Sequence, residues 1–383
     1  METTEKYYSL KRILEKRARY NVIFGERSNG KSFSVHELML KNYFETGKQG
    51  AIIRRWEEDY KGKRGQETFA GISKAHEGLY ISQMSKGKWD GIKYYSSAWY
   101  LYKIKINKKG DEEIIKDNIP FCYAFALTGV EHDKSSSYND VTTVLFDEFL
   151  TREAYLPDEF ISFQNCLSTI IRDRTDVTIF MLGNTVNKYC PYFNEMGLYN
   201  VPKMEQGTID VYQYGNTPMT VAVEYTLSSE KRGHKKKSDD LYFAFSNPKL
   251  KMIKEGAWEI AIYPHLPFKY IKQNIKLYYF IIFNNEVLQC EIIKLNQTED
   301  HKKCIFTYIH RKTTDLRYSK KDIIFQENYS PYNWVRRRIH NPTDMRGKYI
   351  WSFFVTDNVY YQDNEVGEII RNYIEWAKAD RII

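Results

Sequence analysis

The sequence predicts an α/β protein: a larger domain on a mostly parallel sheet, then a linker and a smaller α+β domain. Three observations carry this. Short apolar runs, "NVIF" (21–24), "GAIIRRW" (50–56), "FCYAFALTG" (121–129), "VTTVLF" (141–146) and "VTIFMLGN" (177–184), alternate with helical patterns, as parallel strands covered on both faces do. That alternation fades after about residue 200, and beyond it come aromatic, β-branched strands. A chain of 383 residues also exceeds what one ordinary core organises. The expected divisions are a first domain over 1–200, a linker over 201–244 and a second domain over 245–383.

In the first domain, "NVIF" is a buried strand and a helix runs from about Lys31 to Phe44. Between Asp59 and Pro120, "YYSSAWYLYKIKINKKGDEEIIKDNI" reads as two strands joined at "NKKGD", a hairpin inserted in the core or capping it as a lid. The run "SSEKRGHKKKSDD" (228–240) has a linker's composition. In the second domain "KLYYFIIFNN" and "EVLQCEIIKL" form a hairpin through "FNNEV". The segment "NEVGEIIRNYIEWAK" sets Val366, Ile369, Ile370, Tyr373 and Ile374 on one helical face.

Composition narrows the classes. With 42% hydrophobic and 16% aromatic residues and no long apolar run, the chain is expected to be globular, without a membrane partner, and to act in a cytoplasm. Cys122, Cys166, Cys190, Cys290 and Cys304 have no paired spacing, so reduced thiols are expected rather than disulfides or zinc. A net charge of +8 suits a polyanionic partner.

The chemistry concentrates at "FGERSNGKS". Gly25, Gly30, Lys31 and Ser32 fit G-x-x-x-x-G-K-[ST], directly after a strand and before a helix. Residues Gly25, Glu26, Arg27, Ser28, Asn29 and Gly30 would turn successive N–H groups inward around phosphate oxygens, at a helix N-terminus whose dipole favours anions. Lys31 would reach the β- and γ-phosphates of ATP, and Ser32 would ligate Mg2+. Arg27 would contact the γ-phosphate or project to solvent.

About 115 residues downstream, "VTTVLFDEF" ends a buried strand in Asp147 and Glu148, where open α/β sheets bind ligands. Asp147 would hold the metal and Glu148 would polarise the attacking water. An acid directly after the metal-binding Asp suits ATP hydrolases of the ASCE class, which carry an extra strand between the two motif strands, and "FCYAFALTG" is available as that strand. Asn184 and Thr185 end the next strand, placed to sense the γ-phosphate or to cap a helix. Arg172 and Arg174 follow a helical stretch beginning near Pro157. Either can neutralise charge at a neighbouring subunit's site, Arg172 foremost, or complement its own helix C-terminus. Arg54 and Arg55 could face nucleotide or a neighbour. For polyanion contact the candidates are Lys231, Arg232, Lys235, Lys236 and Lys237, and Arg336, Arg337 and Arg338.

Taken together, "NVIFGERSNGKSFS", "IIRRW", "VTTVLFDEFLTRE", "STIIRDRTDV" and "NTVNKYCPYFNEMGL" resemble the DNA-packaging ATPases of small tailed phages of the phi29 type, over most of residues 20–198 and in the right order. The resemblance implies a homomeric ring, pentameric in that family, on the portal of a procapsid, driving double-stranded DNA inward with ATP. It implies that Arg172 acts in trans and that Arg27 is the phosphate-loop arginine of packaging ATPases. It also implies a second domain with an RNase H-like nuclease fold that has lost its metal acids and does not cut. A packaging RNA, used by the best-known member, is a candidate partner. The other readings are a ring helicase or replication initiator, and a slow nucleotide-dependent switch.

Overall fold

In a computed structural model, the structure describes residues 7–107, 109–129, 137–151, 155–156, 158–186, 190–233, 252, 255–258, 261–267, 269–295, 305–314, 316, 322–332 and 334–379. The chain forms two compact units, Met1–Arg152 with Asp158–Trp258, and Glu153–Pro157 with Glu259–Ile383.

The first unit is built on one sheet. Its parallel strands are β1 (Tyr20–Gly25), β2 (Gln49–Arg54), β6 (Cys122–Ala126), β7 (Val141–Asp147), β8 (Thr178–Asn184) and β10 (Thr220–Tyr225), in the order β6-β2-β7-β8-β1-β10. They are buried along nearly their whole length because helices cover both faces, which is why they read as unbroken apolar runs. Helix α1 (Lys31–Thr46) follows β1 directly and presents Val35, His36, Met39 and Leu40 to the core.

Two expectations about this unit are corrected. The strand between β1 and β7 is β8, not "FCYAFALTG", which forms β6 outside β2. Strand order is a long-range property, and an apolar run carries no label for its neighbours. The expected linker over 201–244 is also displaced: β9 (Ile209–Gln213) and β10 belong to the first sheet, and the unit extends to Trp258, whose ring packs 5.2 Å from Phe24. Parallel pairing of β10 with β1 satisfies the edge of the phosphate-loop strand that a linker would leave unpaired.

The segment expected as a hairpin insertion holds three strands, β3 (Gly91–Tyr95), β4 (Ala98–Ile106) and β5 (Glu112–Lys116), all antiparallel to their partners. The start of β4 pairs with β6, so the ribbon prolongs the main sheet. It is no loosely attached lid. Trp99, Phe69 and Phe121 are fully buried in the core of this unit, and the Trp99 indole donates to Gly65 O at 2.7 Å.

The second unit carries β11 (Ile275–Phe283), β12 (Glu286–Lys294), β13 (Ile305–Arg311), β14 (Ile324–Gln326), β15 (Val335–Arg336) and β16 (Val359–Tyr361), in the order β15-β14-β11-β12-β13-β16. The β11–β13 meander is antiparallel, β14 and β15 continue it in parallel beside β11, and β16 pairs in parallel with β13. Asn284 (φ 53°) and Asn285 (φ 61°) make the two-residue turn of the β11–β12 hairpin, both in the left-handed region that a type I′ turn demands. Helix α3 (Asn364–Ala379) buries Val366, Ile370, Tyr373 and Ala377, with Ile369 and Ile374 on the flanks of that face. The cysteines Cys122, Cys166, Cys190 and Cys290 are buried and form no disulfide among the described residues; Cys304 lies outside the described residues.

Candidate functional site

The phosphate loop turns because its glycines let it. Gly25 has φ 151°, and a Cβ there would stand 2.1 Å from Thr226 Oγ1; Gly30 has φ 96° and caps α1. Ser28 (φ 57°) completes the bend. The Lys31 ammonium lies within the loop, 2.7 Å from Glu26 O, 3.2 Å from Asn29 Oδ1 and 3.5 Å from Asn184 Oδ1. Asn29 is itself held by Thr226 Oγ1 at 3.1 Å. So the loop is braced from the start of α1 and from Thr226, the residue that follows β10.

The two motifs meet. Ser32 Oγ donates to Asp147 Oδ1 at 3.3 Å, and residues 27–33, Asp147, Glu148 and residues 182–184 line one cleft of about 480 Å³. Arg54, from the end of β2, crosses both acids: Nη2 is 2.9 Å from Asp147 Oδ2 and Nη1 is 3.0 Å from Glu148 Oε2. Burial draws the Arg54 pKa down, but Asp147 and then Glu148 outweigh it, so the net shift is upward. The Glu148 side chain is 64% exposed, facing solvent at the cleft, on a backbone at φ 61°.

A hydroxyl and a carboxylate oxygen side by side at the cleft wall are the hard donors that a small dication such as Mg2+ prefers, so Ser32 and Asp147 fit the metal role. Beneath them His36 is buried against Phe69, ring centroids 4.5 Å apart, and burial draws its imidazole pKa down to about 4.

Other predicted residues land elsewhere. The Glu26 carboxylate is buried and accepts from Ser229 N at 2.5 Å, so only its backbone serves the loop. Thr185 is buried with its hydroxyl on Gly256 O at 2.8 Å, a brace rather than a sensor. Arg174 clasps the start of β7, with Nη1 2.7 Å from Val141 O and Nη2 3.0 Å from Ile170 O and 3.2 Å from Tyr138 O. Those carbonyls hold it at the opposite end of β7 from Asp147, away from its own chain's cleft. Arg172 is exposed at the C-terminal cap of α2 (Glu159–Ile171), with φ 52°.

Arg336 pairs with Asp344 at 3.0 Å and stacks over Phe325, and Arg337 lies over the Trp376 ring, so two of that trio are engaged within the second unit. Arg338 is half-buried, Lys231 exposed, and Arg232 approaches Ser229 Oγ at 3.4 Å. Lys235, Lys236 and Lys237 lie outside the described residues. Among the described residues no group of three or more His, Cys, Asp or Glu could hold a metal, and no helix is long and apolar enough to cross a membrane.

Sequence reasoning undervalued Arg54. Its signal was present, an arginine ending a buried strand, but only the pairing of β2 with β7 aims it at the acids.

A phosphate loop on the strand next to β8, with an acidic pair ending β7 on the far side, defines the P-loop fold of the ASCE class. Residues 93–238 match the family model described as Podovirus DNA encapsidation protein (Gp16), and about half of the chain is similar to DNA packaging proteins of Bacillus phages. It is 25% identical over 181 residues to the DNA packaging protein of Bacillus phage B103, covering 46% of this chain and 48% of that protein. With the DNA packaging protein of Bacillus phage phi29 it shares 24% over 190 residues, 49% of each. The matched region thus spans about half the length of these relatives. Two solved structures share the fold along nearly the whole chain: the bacteriophage Phi-29 viral genome packaging motor assembly (TM-score 0.56, 17% identity, 98% of this chain and 100% of that one) and the Phi-28 gp11 DNA packaging motor (0.51, 18%, 99% and 100%).

Proposed function

We propose that this chain is an ATP-driven double-stranded DNA translocase that packages a phage genome, working as a homomeric ring, a pentamer, docked transiently on the portal of a procapsid in the host cytoplasm. The observation that carries the reading is the meeting of Ser32, Asp147, Arg54 and Glu148 at one cleft, in a chain whose middle matches a DNA encapsidation family.

In this reading the backbone N–H groups of the phosphate loop and the Lys31 ammonium bind and orient the triphosphate. Ser32 and Asp147 hold Mg2+, which when bound would offset the charge of the phosphate oxygens. The Glu148 carboxylate, at the cleft mouth, orients the attacking water and accepts its proton. Asn184, 3.5 Å from Lys31, is positioned to contact the γ-phosphate. Arg172 serves the neighbouring subunit's site, where positive charge stabilises the transition state. Exposed basic side chains such as Lys231 contact DNA through phosphates, so binding weakens steeply with salt.

The test is packaging of duplex DNA into purified empty capsids, read as nuclease-protected DNA. Protection that requires ATP and fails with Lys31→Ala supports the reading. Strand separation of a forked duplex without protection would make the protein a ring helicase. Repeating the assay with and without added packaging RNA decides that partner.

A further inference from the structure

Arg55 is a neighbour of Arg54 in sequence but has different work. Its side chain is 7% exposed and that of Glu159 is 0%. The guanidinium forks onto the carboxylate, Nε to Oε2 at 2.8 Å and Nη2 to Oε1 at 2.9 Å, a bidentate geometry that fixes both groups in orientation. The same guanidinium donates to the peptide carbonyls around the acidic pair, Nη2 to Phe149 O at 2.9 Å and Nη1 to Glu148 O at 3.3 Å. Tyr192 donates to Glu159 Oε1 at 2.8 Å, which helps satisfy the buried carboxylate.

Glu148 needs such support. Its φ of 61° is unfavourable for a residue with a Cβ, and a strained backbone persists only where its surroundings over-determine it. Glu159 opens α2, and Arg172 caps the other end of that helix. Thirteen residues make a rod of about 20 Å at 1.5 Å per residue, stiff enough that a displacement of its first turn appears at its last. One buried guanidinium therefore links the Glu148 peptide to the element that carries Arg172.

We propose that Arg55 is a positioning residue that ties the peptide of Glu148 to α2, so that the nucleotide state of one subunit sets how its Arg172 is presented to the next. This inference rests on the functional reading above, in which Glu148 polarises water and Arg172 acts in trans. It adds a physical route between the two, through Arg55 and Glu159.

The experiment uses mixed rings of the full-length protein. Arg172→Ala subunits are combined with Glu148→Gln subunits, so that the competent interfaces pair an intact site on the former with Arg172 from the latter. Arg55→Lys is then added to the Glu148→Gln subunit only. That subunit's own chemistry is already absent, so turnover reads only how its Arg172 is presented. The substitution keeps the buried positive charge and removes the fork. The expected result is a fall in DNA-stimulated ATP turnover of the mixture by about tenfold or more, within the usual range of coupling between sites, while that subunit's nucleotide affinity and its incorporation into rings stay unchanged. Turnover equal to the control mixture overturns the proposal. Should Arg55→Lys fail to fold or join rings, Glu159→Gln, isosteric and uncharged, goes through the same assay with the same two outcomes. If the control mixture itself shows no rescue, the trans reading of Arg172 fails, and this link fails with it.

Discussion

The Ser32 hydroxyl lies 3.3 Å from Asp147 Oδ1, although 115 positions separate them in the chain. Two motifs recognised separately in the sequence thus face the same cleft, and each prediction below tests one part of that arrangement.

Lys31→Ala removes the ammonium that is held by Glu26 O and Asn29 Oδ1 inside the loop. A charge-assisted contact to phosphate should be worth about 3 kcal/mol, so ATP affinity should drop roughly a hundredfold. Titration with a fluorescent ATP analogue measures it. Unchanged affinity would remove the phosphate cradle from the argument.

Glu148→Gln keeps size and hydrogen bonding but cannot accept a proton. ATP binding should persist while steady-state turnover falls by about a hundredfold to ten-thousandfold. Normal turnover would reassign the water-polarising role.

Arg54→Met withdraws a cation that now shares Asp147 and Glu148. With that competitor gone, Asp147 should bind Mg2+ more tightly, lowering the concentration needed for half-maximal nucleotide binding. Turnover should still fall, because Glu148 loses the partner that orients it. A raised Mg2+ requirement would contradict this account of the ion pair.

Trp99→Ala tests whether the inserted strands belong to the core. Emptying a fully buried site and losing the bond to Gly65 O should cost about 3–5 kcal/mol in urea unfolding of the whole protein. A loss below about 1 kcal/mol would mean a detachable lid after all.

His36 gives the pH signature. Burial holds its folded pKa at about 4, with Asp147 pulling upward and Arg54 downward as smaller effects, against an ordinary value near 6.5. Between those values the unfolded chain binds a proton that the folded one refuses. The stability from a neutral His36 is therefore complete above about pH 6.5 and lost as pH falls towards about 4, by an amount on the order of 3 kcal/mol. His36→Phe should flatten the stability profile across that window relative to the parent; parallel profiles would rule the effect out.

Much of the fold was readable because parallel strands buried on both faces must be continuous apolar runs, and β1, β2, β6, β7 and β8 all fall on runs recognised as such. Strand β10 was overlooked although "TVAVEY" is nearly all buried, since "YGNTPM" before it reads as loop. The "FNNEV" hairpin was legible because two left-handed asparagines are a local requirement of the turn. Arginines were the least legible. Arg54, Arg55, Arg172 and Arg174 are one residue type near the ends of buried elements. Their partners, respectively the acidic pair at β7, Glu159, a helix cap and the Val141 carbonyl, are set by sheet order and helix placement.

By itself the sequence determined the phosphate loop and the acidic pair, because both are local: glycines at given spacing permit one backbone path, and two acids after an apolar run emerge at a strand's carboxyl end. Only the tertiary structure decided that β8 separates β1 from β7, that β10 closes the far edge of β1, and that Arg54 reaches the acidic pair while Arg174 is held by carbonyls at the start of β7. The physical reason is that the pairing of distant strands is chosen by burial of the whole sheet, a collective outcome that no short stretch of residues encodes alone.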